Sequence, residues 1–286
     1  MMNIIPKERC FELFHTIKNP PKKLYAKGNI DLLNKTCFSV IGSRNATKYG
    51  EEMTKKFVKE LIKYDVCIVS GLAIGIDSFS HIATLENGGN TIAVLPCGLE
   101  NIFPEENKGL ANTIIKNNGL LLSEYAKNTK ASYNKFLQRN RLVSGLGVGT
   151  LVIEAGHRSG TTVTARITQE QKKLVFCVPN RLGEIYGVGT NRLIQNGAKL
   201  VMSANDIAEE YHWVKNKRKN AVKKVRNINV NSEYKNVFNV ISEEPREVNL
   251  ISKLANETIE NTNYCLTMLE LEGAIKKLPG NFFVRI

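Results

Sequence analysis

The segment Asn134-Lys135-Phe136-Leu137-Gln138-Arg139-Asn140-Arg141 places three cations, amides and one aromatic ring within about two helical turns. Arginine and lysine serve phosphates, and a ring gives an unstacked nucleobase a surface worth ~1–3 kcal/mol. Phe136 either offers that surface or belongs to the core, and nearby Tyr133 supplies a ring equally well. A second cluster, Gly42-Ser43-Arg44-Asn45-Ala46-Thr47, follows an apolar run. Gly42 permits a tight turn, Ser43 and the loop amides can donate to an anion, and Arg44 can fork onto a phosphate. The pattern is not G-x-G-x-x-G, so an ordinary dinucleotide fingerprint is absent.

Three more stretches carry chemistry or its appearance. Ser70-Gly71-Leu72-Ala73-Ile74-Gly75-Ile76-Asp77 brings two glycines to a small loop open to close approach. Asp77 and His81 stand four apart on one helix face. With no third ligand evident, a structural pair is the better reading than a metal site. Glu154-Ala155-Gly156-His157-Arg158-Ser159-Gly160-Thr161-Thr162 runs into a helix start, with Arg166 one turn in. Free amides and the positive dipole end there suit an anion, and Ser159 suits a plain N-cap equally well.

Those clusters need a scaffold. Apolar runs recur at Cys37–Ile41, Val66–Val69, Thr91–Leu95, Leu120–Leu122, Leu151–Ile153 and Leu174–Val178, with a shorter one at Leu200–Met202. They are continuous rather than alternating, as strands buried on both faces are. Helical stretches lie between them: Gly50–Tyr64, Ile76–Asn87, Glu105–Asn117, Asn134–Ser144 and Thr162–Gln171. The alternation predicts an α/β, doubly wound, mostly parallel Rossmann-like sheet over residues 36–211, preceded by a lead-in segment (1–35) packed on it. Ligands of such sheets bind beyond the carboxyl ends of the strands, at the switch point.

The 286 residues carry a net charge of +13, which makes a polyanion a reasonable partner. Residues 212–235 hold eight cations against Glu233 alone and read as a solvated basic linker. Residues 236–286 carry five cations and seven carboxylates and read as a small winged-helix domain. Its third helix, Asn263–Glu272, includes Glu270 and Glu272 and no Lys or Arg. Phosphate neutralisation dominates DNA affinity, so this helix favours a protein or dimer contact over a DNA groove. No apolar run approaches the ~18–20 residues of a membrane span. Met1–Glu8 shows no secretory h-region. Six cysteines without C-x-x-C argue against a disulfide framework or zinc and suit a reduced cytoplasm.

The ordered set of motifs resembles the DNA-processing protein A (DprA/Smf) family. It comprises Gly42-Ser43-Arg44, Ser70-Gly71-Leu72-Ala73-x-Gly75-Ile76-Asp77, Gly119-x-x-x-Ser123-Glu124-Tyr125, Arg139-Asn140-Arg141, Glu154-Ala155, Ser159-Gly160-Thr161 and Val178-Pro179. The likeness covers roughly residues 20–211 and continues into the tail. It implies a cytoplasmic homodimer, a mediator rather than an enzyme, without cofactor or metal. Such a protein binds single-stranded DNA, protects it during natural transformation and helps load the RecA recombinase. It further implies that Gly42, Ser43 and Arg44 form a phosphate pocket and that Lys135 and Phe136 face the DNA. Arg139, Asn140 and Arg141 would line the same groove, with Ser159, Gly160 and Thr161 closing it. Leu137 stands where the family often has Pro, and Lys172-Lys173 where it often has Gly-Arg. Lys173, a candidate contact, thus keeps the charge without the bidentate fork. A helical N-terminal domain found in some members is not expected here.

Two competing functions share the scaffold. A related nucleotide-hydrolysing family carries P-G-G-x-G-T-x-x-E. Here Gly147-Val148-Gly149-Thr150 fits part of it, but Leu146 replaces a glycine. Glu154 also falls one residue late, which on a strand turns it to the other face. A nucleotide sensor would use the Gly42–Arg44 pocket without needing Phe136 or the basic linker.

Overall fold

Runs such as Cys37–Ile41 offer apolar side chains to both faces of a strand, so a sheet built from them must be covered by helices on both sides. The computed structural model describes residues 2–215, 232–242 and 245–285. They form two separate units, divided at residues 222 and 223. The first contains β1 (Met2–Ile5), α1 (Lys7–Leu13), β2 (Leu24–Gly28), β3 (Cys37–Ile41), α2 (Lys48–Leu61), β4 (Cys67–Ser70), α3 (Ile76–Glu86), β5 (Thr91–Leu95), α4 (Lys108–Lys116), β6 (Leu120–Ser123), α5 (Tyr133–Leu146), β7 (Gly149–Val152), α6 (Gly160–Glu170), β8 (Leu174–Cys177), α7 (Val188–Gln195), β9 (Lys199–Leu200) and α8 (Ala204–Glu210).

The nine strands lie in the order β1-β2-β6-β5-β4-β3-β7-β8-β9. From β6 to β9 every pairing is parallel. The expected doubly wound sheet is therefore present, and its strand order reverses between β3 and β7. β1 and β2 extend its edge antiparallel to β6, so the N-terminal lead-in contributes strands rather than merely packing on the sheet.

Alternate residues of one strand feed two cores. Phe38 and Val40 of β3 join Phe57, Val58 and Leu61 of α2 on one face. Cys37 and Ile41 join Leu142 and Val143 of α5 on the other. Helix α2 forms because Gly50, Thr54, Phe57, Val58 and Leu61 recur on one stripe and because the Thr47 hydroxyl accepts from the Gly50 amide at 3.1 Å. Each large apolar side chain so buried contributes roughly 1.5–3 kcal/mol. Trp213, expected within the linker, stacks on Tyr211 at 4.8 Å and meets Phe38 at 5.7 Å. The body therefore reaches past residue 212; residues 216–231 of the expected linker lie outside the described residues, and its end, Ser232–Lys235, belongs to the second unit, where Tyr234 joins the core. No described helix is long and apolar enough to cross a membrane.

The second unit runs α9 (Lys235–Val240), β10 (Arg246–Glu247), α10 (Val248–Ala255), α11 (Ile259–Leu271), β11 (Ile275–Leu278) and β12 (Phe282–Arg285), with its sheet ordered β10-β12-β11. This is the connectivity of a winged helix. Its core gathers Val237, Ile251, Leu266, Leu269 and Phe283. α11 begins four residues earlier than expected because Thr258 caps it, accepting from the Asn261 amide at 3.2 Å. Arg285, counted as a cation on the wing, lays its guanidinium 4.1 Å over the Phe238 ring.

Candidate nucleic-acid interface

The switch point lies between β3 and β7, so the turns leaving those strands meet above the sheet. Gly42 leaves β3 where a Cβ would come within 2.5 Å of Ile76. Its carbonyl accepts from the Thr161 hydroxyl at 3.0 Å, tying the β3 turn to the first turn of α6. The Ser43 hydroxyl accepts from the Asn45 amide at 3.1 Å and closes the turn. Arg44 is exposed, and it pairs with no carboxylate among the described residues. Instead its guanidinium carbon lies 4.8 Å from the centroid of the Phe136 ring. A guanidinium held on a ring keeps its planar donors toward solvent.

Across the cleft Ser159 caps α6, accepting from the Thr162 amide at 3.3 Å. The N-cap expectation therefore holds, and the cap coexists with a helix start that opens on the cleft. A Cβ on Gly160 would meet nothing within 4 Å. The resulting cavity of about 590 Å³ is lined by Gly42, Ser43, Arg44, Phe136, Arg139, Asn140, Ser159, Gly160 and Thr161 among others. Asp77 is the one carboxylate lining it among the described residues. Helix α5 supplies Tyr133, Phe136, Leu137, Arg139, Asn140 and Val143, the spacing of a single helix face. Arg158 and Tyr186 also line the cavity. Neither was singled out from sequence. Arg158 sits inside the quoted Glu154–Thr162 stretch with a left-handed φ of 51°, which gave no composition signal.

Four expected contacts are placed differently. Arg139 reaches the cavity floor but is only 4% exposed. It donates to the Gly71 carbonyl and, at 2.5 Å, to the Val94 carbonyl, capping the ends of β4 and β5. Burial raises the Asp77 carboxyl, and Arg139 opposes that rise. Asp77 also accepts from the amides of Gly71 at 3.1 Å and Ala73 at 3.4 Å. Arg139 is thus a buried support beneath Phe136, whose centroid lies 6.0 Å away. Arg141 points off the groove face and pairs with Glu124 at 2.6 Å. Lys135 does so too, bonding the Lys130 carbonyl at 2.7 Å and covering the Tyr125 ring at 5.5 Å. Lys173 lies at the far end of α5. Its ammonium donates to the carbonyls of Ser144, Gly145 and Gly147 at 3.2, 2.5 and 2.8 Å. Those are the carbonyls a helix end leaves without partners. Burial lowers Lys173 to about 8.

The remaining chemistry-bearing residues are structural. Both oxygens of Glu154 are engaged by Thr47, at 2.9 Å from its amide and 2.5 Å from its hydroxyl, which holds the start of α2. His81 lies in the core with its Nδ1 2.7 Å from the Thr91 hydroxyl. The Asp77–His81 spacing thus reflects two separate internal tasks.

Comparison with known proteins agrees with this fold. Residues 3–212 match the family model for DNA recombination-mediator protein A. DNA processing protein DprA of Bacillus subtilis is 42% identical over 196 residues, covering 68% of this chain and 66% of that protein. Protein Smf of Escherichia coli is 34% identical over 92% of this chain and 71% of its own. The crystal structure of DprA from Streptococcus pneumoniae superposes with a TM-score of 0.69 at 37% identity, over 73% of this chain and 74% of that one. DNA processing protein A from Helicobacter pylori, solved to give insight into its single-stranded DNA binding mode, superposes with a TM-score of 0.66. It is 34% identical over 74% of this chain and 96% of its own. The chain belongs to the DNA recombination-mediator protein A family.

Proposed function

We propose that this chain binds single-stranded DNA without regard to sequence, in the cavity at the β3/β7 switch point, and acts as a binding protein rather than an enzyme. The observation that carries this reading is Arg44 lying on Phe136 at 4.8 Å, a phosphate donor and a base platform joined in one unit. The helix start at Ser159–Thr161 supplies a second anion position across the cleft. The similarity to the Helicobacter pylori protein, whose single-stranded DNA binding mode has been studied, supports the same reading. Glu154 is buried, bonded through both oxygens to Thr47 and absent from the cavity lining, which weighs against hydrolysis. On the family resemblance we further infer that the chain protects incoming DNA during natural transformation, helps load RecA and works as a cytoplasmic homodimer.

The test is a titration of labelled oligo-dT at several salt concentrations. Affinity should fall with a logarithmic slope of about −0.7 per neutralised phosphate. Arg44→Ala should weaken binding about three- to tenfold for all sequences alike and make that slope shallower by nearly one contact. Equal binding and slope in variant and wild type would remove Arg44 from the interface. Lys173→Met should behave in the opposite way. It strips three carbonyls of their donor and should cost about 1–3 kcal/mol in urea unfolding. The folded fraction should bind oligo-dT like wild type, and a flatter salt slope would return Lys173 to the interface.

A further inference from the structure

The carboxyl rim of the sheet continues away from the switch point to β2. That strand runs antiparallel to β6, with Tyr25 opposite Ser123, so the start of β2 and the end of β6 reach the same rim. Two cations stand on rings there. The Lys23 ammonium lies 5.4 Å from the centroid of Tyr25, and the Lys135 ammonium 5.5 Å from that of Tyr125. Lys135, turned off the cavity face of α5, uses one of its three donors on the Lys130 carbonyl at 2.7 Å, which sets exposed Lys130 beside it. The Tyr125 hydroxyl is tied to Gln138 Oε1 at 2.8 Å, which orients that ring. Lys23, Lys130 and Lys135 pair with no carboxylate among the described residues. Glu124, next to Tyr125, is already paired with Arg141 at 2.6 Å, and Glu100 with Lys127 at 3.0 Å. Tyr133, the first residue of α5, is 77% exposed and lines the cavity.

We infer that a strand leaving the cavity passes over Tyr133 and continues along this outer rim, with its phosphates on Lys23, Lys130 and Lys135 and its bases against Tyr125 and Tyr25. The inference rests on the binding proposed above and adds how far the strand runs. A lone surface lysine is ordinary. Here three lysines without carboxylate partners gather beside two rings, so each mutual repulsion is relieved by a bound polyanion. Each ammonium also marks a ring against which an unstacked base can lie. A duplex would neutralise the lysines equally well, but its bases are already stacked on one another and leave the rings without a partner. The pairing of cation with ring therefore favours a single strand, and it repeats with lysine and tyrosine what Arg44 and Phe136 do in the cavity.

The experiment titrates the full chain with labelled oligo-dT of two lengths, about six nucleotides, enough for one compact site, and about twenty. Lys23→Gln combined with Lys130→Gln should weaken the longer strand about fivefold or more. It should also make that strand's logarithmic salt slope shallower by about 1.4, two contacts at about 0.7 each. The short strand should change by less than about twofold. Tyr125→Leu keeps an apolar side chain but removes the ring, so it should weaken the longer strand about threefold or more with its slope unchanged. Arg44→Ala should weaken both lengths by one common factor. If either rim variant leaves the longer strand as in wild type, or lowers both lengths equally, the strand does not run along this rim, while the proposed binding stands on Arg44. Loss of duplex binding with both oligo-dT lengths retained would assign the lysines to a duplex and overturn the inference as well. If wild type binds neither length, both readings fall together.

Discussion

Arg139→Met is expected to lower the unfolding free energy by about 3–5 kcal/mol, the cost of leaving two buried carbonyls without a donor and a buried carboxyl without its neighbouring cation. Methionine keeps the stem but leaves the buried guanidinium's space empty, so lost hydrogen bonds and a small cavity both contribute. Two carbonyls at the ends of β4 and β5 lose their donor, and Asp77 loses the cation that offsets its burial. Gly71 shows how closely the site is fitted, since a Cβ there would lie 2.4 Å from the Arg139 Nη1. Adding Asp77→Asn should restore part of the stability by removing the stranded charge, although the Gly71 and Ala73 amides then bond a weaker acceptor. Arg139→Lys should recover little, because the shorter side chain leaves its ammonium short of the position from which Nη1 reaches both carbonyls. Urea unfolding of the four proteins measures this directly. A single variant within about 1 kcal/mol of wild type would show that Arg139 is a groove cation whose internal bonds are incidental. If Arg139 is the support described, DNA affinity per folded molecule should fall through the placement of Phe136.

The contrast between Arg139 and Arg44 marks how far the sequence could be read. The Gly42-Ser43-Arg44 turn was legible because it follows a fully apolar strand, and the rule that ligands gather at a switch point does the rest. The Asn134–Arg141 segment was legible as a cluster but not as a set of directions. Its cations look alike in composition, yet on a helix Phe136, Arg139 and Asn140 share a face while Lys135 and Arg141 turn from it. Whether Arg139 reaches solvent depends on carbonyls of Gly71 and Val94, 68 and 45 residues away. Lys173 was misplaced for a related reason, since its partners are the unpaired carbonyls ending α5. Phe103 gave no signal at all. It sits in a loop without periodicity, and only the folded chain brings its ring to Phe136. The strands β1 and β2 were unexpected because short edge strands lack the continuous apolar runs that revealed the central ones.

The same buried layer predicts acid sensitivity. The Thr91 hydroxyl donates to the Ile68 carbonyl at 2.9 Å, so it accepts from His81 Nδ1–H at 2.7 Å. The other ring nitrogen is then a bare lone pair, buried and without a partner. Protonating it would place a charge in an apolar layer already facing Arg139, and burial with that neighbour lowers His81 from 6.5 to about 3. An unfolded histidine takes up its proton near pH 6.5, whereas the folded one stays neutral down to about pH 3. Between those values the unfolded chain binds more protons, so stability falls as the solution is acidified. The slope is about 1.36 kcal/mol per pH unit, giving a loss on the order of 4–5 kcal/mol by pH 3. His81→Leu should lose this dependence, so the wild-type-minus-variant difference in unfolding free energy should shrink or reverse toward low pH while changing little above pH 7. Removing the opposing charge in Arg139→Met should leave the onset near pH 6.5 but end the loss at a higher pH and make it smaller, because protonated His81 then has no cation beside it. Parallel stability curves for wild type and His81→Leu from pH 7 to 4 would show that His81 titrates in the folded protein as it does in the unfolded chain.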